Sequence, residues 1–373
     1  MKGAAGAKSV VLLSESLKGG GAERQLVQIA NHWVNRGERV ILATWSGPAT
    51  PDIYSLDPRV RRVHLEFTPS PGPFQGARRS LGYIIRLRRL LIAEQPFALL
   101  SFITENNVFA IAAAAGLDVR LVVSERADPS SDVTVPFVWR LLRRWFYRRS
   151  DLVVAQTARA AQWIHAHCHV EAAVIPNSLR SLREGANMRE PLVIGVGRLT
   201  RQKGFDLLID AFAGLQERFP QWRMVILGTG PEQAALQSQI DRHSLQARVS
   251  LQGFDSDIES WFARAGLVVQ PSRFEGFPNV LLEAMGMGAA VISSDCPAGP
   301  SEIIQDGING RLVPMEDVSA LGAAMEALMR DAGARERLGE AAKAVRERFH
   351  VDLIMADWDR ALFPSIAQES LST

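Results

Sequence analysis

At 373 residues and 41.0 kDa the chain is long for one hydrophobic core, so two domains are expected. With 47% hydrophobic and 22% charged residues it is neither a disordered tail nor a low-complexity array, and two cysteines, Cys168 and Cys296, exclude a disulfide scaffold. Net charge is only +2, yet residues 1–178 carry +8 and the remainder −6, which suggests that the first half meets an anionic partner.

The first residues lead straight into SVVLLSES, with no long apolar stretch before a cleavage site, so a reducing, cytoplasmic setting is expected. Short apolar runs at 10–13, 40–45, 121–124 and 151–156 predict buried strands. Between them, residues 22–37 predict a helix. There Leu26, Ile29, Ala30 and Trp33 share a face and Gly37 marks the end. Residues 97–116 are the most apolar stretch, but Glu105, Asn106 and Asn107 sit in its middle. A charge at a bilayer centre costs about 3 kcal/mol, so this segment predicts a strand followed by a helix. The alternation restarts at 192–197 and runs on through MVILG, VSLQG, GLVVQP and AAVISS.

Strand–helix alternation implies α/β architecture with parallel sheets. The polar interval 175–190 separates the two series, giving domains at 1–178 and 179–349, with a C-terminal helix at 350–373 that could return to the first domain. Open parallel sheets bind ligands beyond the carboxyl ends of their strands, so the chemistry belongs at strand–helix junctions.

Three junctions stand out. Gly19, Gly20 and Gly21 precede the first helix, where they form either a phosphate-receiving turn or a merely flexible one. Gly195-Val196-Gly197-Arg198-Leu199 followed by Gln202-Lys203-Gly204 puts two cations on one loop. A forked guanidinium and a point ammonium can together neutralise a leaving diphosphate. The loop lacks the third glycine of a dinucleotide fingerprint, which argues against an NAD enzyme. Most specific is Glu275-Gly276-Phe277-Pro278-Asn279-Val280-Leu281-Leu282-Glu283. One carboxylate stands just before a helix and the other about two turns into it, with Pro278 in the first turn. Such a pair can grip hydroxyl pairs while free helix amides meet phosphate.

The glycine-rich start, GRL…QKGFD and EGFPNVLLEAM resemble the large retaining family 4 of glycosyltransferases (glycosyl transferases group 1), and the resemblance covers nearly the whole chain. It implies the GT-B fold: two Rossmann-like domains with parallel sheets facing a central cleft. By match, Arg198 and Lys203 would hold the donor diphosphate, Glu275 the donor sugar and Glu283 the nucleotide ribose. Gly197 and the backbone of Gly276, Phe277, Asn279 and Val280 would line sugar and phosphate. Gly253 and Phe254 would lie near the base, and Gly20 and Gly21 near the reacting centre. No cofactor or metal is implied beyond a nucleotide-sugar co-substrate, UDP-linked by resemblance. Many relatives place a histidine at the junction that here reads Ser101-Phe102-Ile103-Thr104-Glu105-Asn106-Asn107, so any protein acid or base is left unassigned. Glu105 and Asn106 are candidates for substrate contact or for helix capping.

SFITENN, VVSERADP and CPAGPSEII are similar to the branch extending polyprenyl-diphosphate-linked glycans with N-acetylgalactosamine-type sugars. Glu125 and Arg126 follow a strand, where they would either touch that acceptor or form a buried ion pair. Residues 78–96 and 139–149 are arginine-rich and amphipathic. They predict helices that pack one face and offer the other to an anionic membrane surface, placing the protein peripherally on the inner face. His165, His167, Cys168 and His169 resemble a metal cluster, but residues two apart do not share a helix face and no second ligand cluster appears, so a surface or helix-end location is expected rather than a metal site. Two other classes compete: a non-catalytic membrane- or nucleic-acid-binding module, and a GT-B phosphorylase or epimerase. The first leaves the cation and carboxylate junctions unexplained, and no nucleic-acid partner is expected.

Overall fold

The computed structural model describes residues 7–50, 52–68, 75–130, 135–183 and 189–364. They form two compact units: residues up to Asn177 joined by those from Asp352 on, and Ser178–Val351. Residues 184–188 of the proposed boundary interval and 365–373 of the proposed last segment lie outside the described residues.

The first unit holds seven strands: β1 (Ser9–Ser14), β2 (Arg39–Thr44), β3 (Arg61–His64), β4 (Ala98–Phe102), β5 (Arg120–Ser124), β6 (Leu152–Ala155) and β7 (Ala172–Val174). They lie in the order β3-β2-β1-β4-β5-β6-β7, and every neighbouring pair is parallel. Val10 sits opposite both Val40 and Ala98, so the register is in step across the centre. The strands read as unbroken apolar runs because helices cover both faces; Val10, Val11, Leu12 and Leu13 are all fully buried. The first helix runs Gly21–Asn35 and buries Leu26, Ile29, Ala30 and Trp33, with Gly37 just beyond at a φ of 90°. The apolar stretch at 97–116 resolves into β4 and the helix Thr104–Ala114, and among the described residues no helix is long and apolar enough to cross a membrane.

The helix Val351–Leu362 packs into this same unit. Asp359 accepts from Trp33 Nε1 (2.9 Å) and Arg36 Nη1 (2.6 Å) and sits 3.3 Å from His32 Nε2. The Phe363 ring lies against Trp33 and Phe97, and Trp358 against Phe102.

The second unit holds β8 (Glu190–Val196), β9 (Arg223–Leu227), β10 (Val249–Gly253), β11 (Ala265–Gln270), β12 (Val291–Ser294) and β13 (Arg311–Val313). Their order is β10-β9-β8-β11-β12-β13, again wholly parallel. Both sheets therefore reverse direction once, between β1 and β4 and between β8 and β11. At such a point the loops leaving adjacent strands diverge and open a crevice. Every junction singled out from the sequence, apart from the helix-end histidines, leaves the carboxyl end of a strand.

Candidate active site

The second unit's crevice is framed by two loops. One leaves β8 at Val196 and runs through Gly197, Arg198 and Lys203 into the helix Phe205–Ala213. The other leaves β11 at Gln270 and reaches Glu275 before the helix Asn279–Gly286. They are fastened to one another. Gln202 Nε2 donates to the Phe274 carbonyl (2.9 Å), Arg273 N to the Gln202 carbonyl (2.8 Å), and Arg273 Nη1 to the Arg201 carbonyl (2.8 Å). Arg273 also clamps Asp206 through two parallel bonds of 2.9 and 2.7 Å and donates to Glu316 at 2.7 Å. Burial alone would raise the Asp206 carboxyl, but its bonds and charge attraction with Arg273 outweigh that and hold it below the usual range.

Glycines set how closely these loops approach. Gly204 has a φ of 66°, and a Cβ there would lie 2.1 Å from the Pro271 carbonyl oxygen. At Gly228, with φ 134°, a Cβ would lie 1.9 Å from the Gly197 oxygen. The Gly228 amide donates to the Gly253 carbonyl at 2.6 Å, so the ends of β8, β9 and β10 are drawn together. Only residues without a side chain fit there.

Glu275 is the focus. Its Oε1 accepts from Lys203 Nζ (2.7 Å), Gln270 Nε2 (2.7 Å) and Ser272 Oγ (2.6 Å). Among the described residues nothing donates to Oε2. Three donors on one oxygen fix the carboxylate's orientation and leave the other oxygen for a ligand. Gly197 lies beneath the Lys203 stem, where a Cβ would sit 3.3 Å from its Cγ, Cδ and Cε. Arg198, on the same loop, is exposed and makes no side-chain hydrogen bond or ion pair among the described residues. The loop after β12 closes the far side: at Gly299, with φ 100°, a Cβ would meet Pro278 Cδ at 2.7 Å and the Gly276 oxygen at 3.2 Å. Burial first, and then the charge on Glu275, push the Cys296 thiol on this loop up to about 12, so it stays protonated. Both cysteines are free and buried.

Several expected placements change. Pro278 is the N-cap of the helix rather than part of its first turn, and Glu283 stands four residues after Asn279, one turn in rather than two. Glu283 lies beside a cation of its own. Its Oε2 lies 3.1 Å from Arg180 Nε, and the same guanidinium holds Glu259. Phe277 is buried, its ring edge-on to Phe349 at 5.6 Å, so only its backbone is offered to a ligand. Gly276 precedes the helix and Asn279 and Val280 open it, all three partly exposed. Phe254, just past β10, is 76% exposed, the largest apolar exposure beside any strand end of this unit.

In the first unit, Gly20 is the N-cap of the helix Gly21–Asn35, and its carbonyl accepts from Tyr54 at 3.1 Å. Glu105 is half-buried at the start of the helix Thr104–Ala114. Burial first, and then the charge of Glu15 at the end of β1, raise its carboxyl above the usual range. The other two acidic and amide candidates point inward. Asn106 accepts from Trp45 Nε1 (2.7 Å) and donates to the Phe102 carbonyl (3.0 Å), so its amide braces this junction. Glu125 is 1% exposed. It accepts from Thr104 Oγ1 (2.9 and 3.0 Å) and Tyr147 (2.8 Å) and pairs with fully buried Arg143 (3.3 Å) rather than with Arg126. Arg126 is half-buried with one face on the Phe102 ring, 4.5 Å from its centroid.

The histidine cluster disperses over a helix end. Cys168 is buried, His169 takes a left-handed C-cap, His165 pairs with Glu171 (2.8 Å), and His167 stacks on Trp163. Sequence reasoning passed over Gln270, Ser272, Arg273 and Arg180. The one signal for the first two was a polar residue ending an otherwise apolar strand, with a second just beyond Pro271.

Two family models match in tandem: Glycosyltransferase Family 4 over residues 19–180 and Glycosyl transferases group 1 over 181–345. An N-acetyl-D-galactosaminyltransferase of Campylobacter jejuni, named for an acceptor on PP-undecaprenol, is 26% identical over 354 residues, spanning 92% of this chain and 95% of that one. An exopolysaccharide phosphotransferase of Streptomyces coelicolor is 35% identical over 214 residues, 56% of this chain but only 23% of its own length. Among solved structures, sucrose-phosphate synthase from Thermosynechococcus elongatus superposes with a TM-score of 0.84 over 97% of this chain and 100% of that one, at 18% identity. Together with the two parallel sheets, these matches place the chain among the family 4 glycosyltransferases, with a group 1 domain as its second unit and the GT-B fold.

Proposed function

We propose that the protein transfers a sugar from a nucleotide-diphosphate donor, UDP-linked, onto a glycan or polyprenyl-diphosphate-linked acceptor, with retention of configuration and without a metal. The observation that carries this reading is the Lys203–Glu275 pair at the reversal point of the second sheet, with Glu275 Oε2 free and Arg198 unpaired on the same loop among the described residues. The two cations neutralise the departing diphosphate, the task a divalent metal would otherwise perform. Glu275 Oε2 accepts from sugar hydroxyls, and the first amides of the helix Asn279–Gly286 face phosphate. Glu283 is oriented by Arg180 toward the ribose hydroxyls, and exposed Phe254 gives the base a surface on which to stack. Leaving-group oxygens can take the acceptor's proton when attack comes from their own side, so a protein base is not required.

A panel of nucleotide sugars, followed by transfer to synthetic polyprenyl-diphosphate glycans, tests the reading. Stabilisation and turnover with a UDP-sugar are expected; turnover with none of the panel would sink it. Arg180→Met should weaken donor binding about tenfold, a loss of roughly 1.4 kcal/mol, because Glu283 loses the cation beside it. Affinity for the donor unchanged in that variant would remove Arg180 and Glu283 from the site.

An acceptor carried on a lipid is met at a membrane surface. The helices Gln75–Glu94 and Phe137–Phe146 both pack on Thr104–Ala114 and so lie on one side of the sheet. Phe137, Val138, Leu141 and Trp145 are exposed along one, Leu81, Ile85 and Ile92 along the other, with exposed Arg78, Arg79, Arg89, Arg140 and Arg144 among them. Apolar side chains that enter the interface next to cations suit anionic lipid. Not every arginine contributes: Arg143 faces inward, and Arg86 and Arg88 donate to backbone carbonyls. Flotation with phosphatidylglycerol vesicles should succeed and should fail after Arg140→Gln with Arg144→Gln. An intact protein that stays at the bottom of the gradient refutes the membrane face.

A further inference from the structure

Among the described residues, Arg126 is a cation without a counter-ion in contact. Its neighbour Glu125 exerts an attraction, yet both Glu125 oxygens are taken by Thr104, Tyr147 and Arg143. The acceptors that Arg126 itself meets are neutral: Ser124 Oγ (3.4 Å), Asn177 Oδ1 and the side-chain amide of Gln156. Its Nε is sealed from solvent and makes no hydrogen bond. Burial pulls its ionisation down to about 9, the mark of a positive charge in surroundings that do not repay its desolvation. Such a charge destabilises the fold unless a ligand supplies the missing negative one.

The location fits a ligand. Phe102 ends β4, Ser124 ends β5, Gln156 follows β6 directly and Asn177 lies three residues beyond β7. The carboxyl ends of four adjacent parallel strands thus bring together one fork of guanidinium donors, two amides and an aromatic face that fixes the fork's plane. Gln156 and Asn177 are buried and hold the guanidinium in place, Gln156 also donating to the Arg126 carbonyl (2.7 Å). Arg126 itself keeps part of its surface open to solvent. We propose that Arg126, with Gln156 and Asn177, forms a phosphoryl-anion site in the first unit, separate from the diphosphate loop of Arg198 and Lys203. Within the transferase reading, on which the identity of the ligand rests, the anion is a phosphate of the acceptor. A forked guanidinium meets two phosphate oxygens at once, which would register the acceptor's anionic end.

Calorimetric titration tests it without turnover. In an Arg198→Met/Lys203→Met background, inorganic pyrophosphate should still bind, and adding Arg126→Met should weaken it about tenfold or more. Methionine keeps an apolar stem over Phe102. Adding Arg126→Lys instead, which keeps the charge but loses the fork, should give an affinity between those two. Equal affinity across the three titrations, or no binding in the background, overturns the site. Should Arg126→Met fail to fold, the comparison of Arg126→Lys with the parent background decides alone. Farnesyl diphosphate separates the sources: tighter binding than pyrophosphate assigns the site to a lipid-linked anion, equal binding to a free phosphoryl group. An Arg126 effect combined with no sugar transfer would keep the site and discard the transferase reading; transfer with no Arg126 effect would do the reverse.

Discussion

Glu275→Ala will reduce turnover about 10²–10³-fold while the protein stays folded, because the carboxylate is surrounded by groups that tolerate its loss. Lys203 is 17% exposed and can turn to water. Ser272 and Gln270 lose one acceptor each, and nothing apolar depends on the side chain. Glu275→Gln is the sharper test. It retains an oxygen and the shape but removes the negative charge that holds Lys203, so it separates charge from packing. Lys203→Ala should be as damaging by the complementary route, since on the proposed reading one of two cations beside the leaving diphosphate disappears. Initial-rate kinetics with a saturating nucleotide sugar, alongside thermal melts, give the answer. Full activity in both variants would remove this loop pair from the chemistry.

The largest stability effect is expected far from that loop, at Glu125→Ala. Arg143 is fully buried, its Nη1 on Glu125 and its guanidinium 4.6 Å from the Trp163 ring centroid, so the substitution strands a positive charge inside the first unit. Breaking a buried pair from one side costs about 3–5 kcal/mol, a fall in melting temperature on the order of 10 °C for a unit of this size. Tyr147 and Thr104 lose their acceptor too; in the parent, burial first and then the charge of Glu125 push that phenol well above its ordinary value. Combining Glu125→Gln with Arg143→Met should recover much of the loss, since neither charge is then left alone. A melt indistinguishable from the parent's for Glu125→Ala would show that the pair contributes little to the fold.

The contrast between these two glutamates marks how far the sequence can be read. Both follow a strand, and strand–helix alternation located both junctions correctly. For Glu275 the surrounding EGFPNVLLE pattern carried a chemical reading, and its partner Lys203 sat at a recognisable place on the preceding strand's loop. For Glu125 nothing local tells whether the side chain turns outward or back under the next helix. That depends on Arg143, 18 residues away, on a helix whose composition advertised a surface role. Long-range ion pairs are invisible to periodicity because they are set by how helices lie on the sheet. For Glu283 the motif located the helix to within a residue, but the arrival of Arg180 from another segment could not be counted from it. Arg273 was missed likewise, although its position between two quoted motifs makes sense once the loops are seen to touch.

The return of the helix Val351–Leu362 to the first unit has a consequence for biogenesis. That unit is written in two instalments, with the whole of Ser178–Val351 placed between them. As the ribosome proceeds, the second unit has all its strands before the first has received Trp358, Asp359 and Phe363 to cover Phe102, Trp33 and Phe97. The arginine-bearing unit would therefore wait with an uncovered apolar flank until late in translation, the interval in which a nascent chain most needs protection from aggregation.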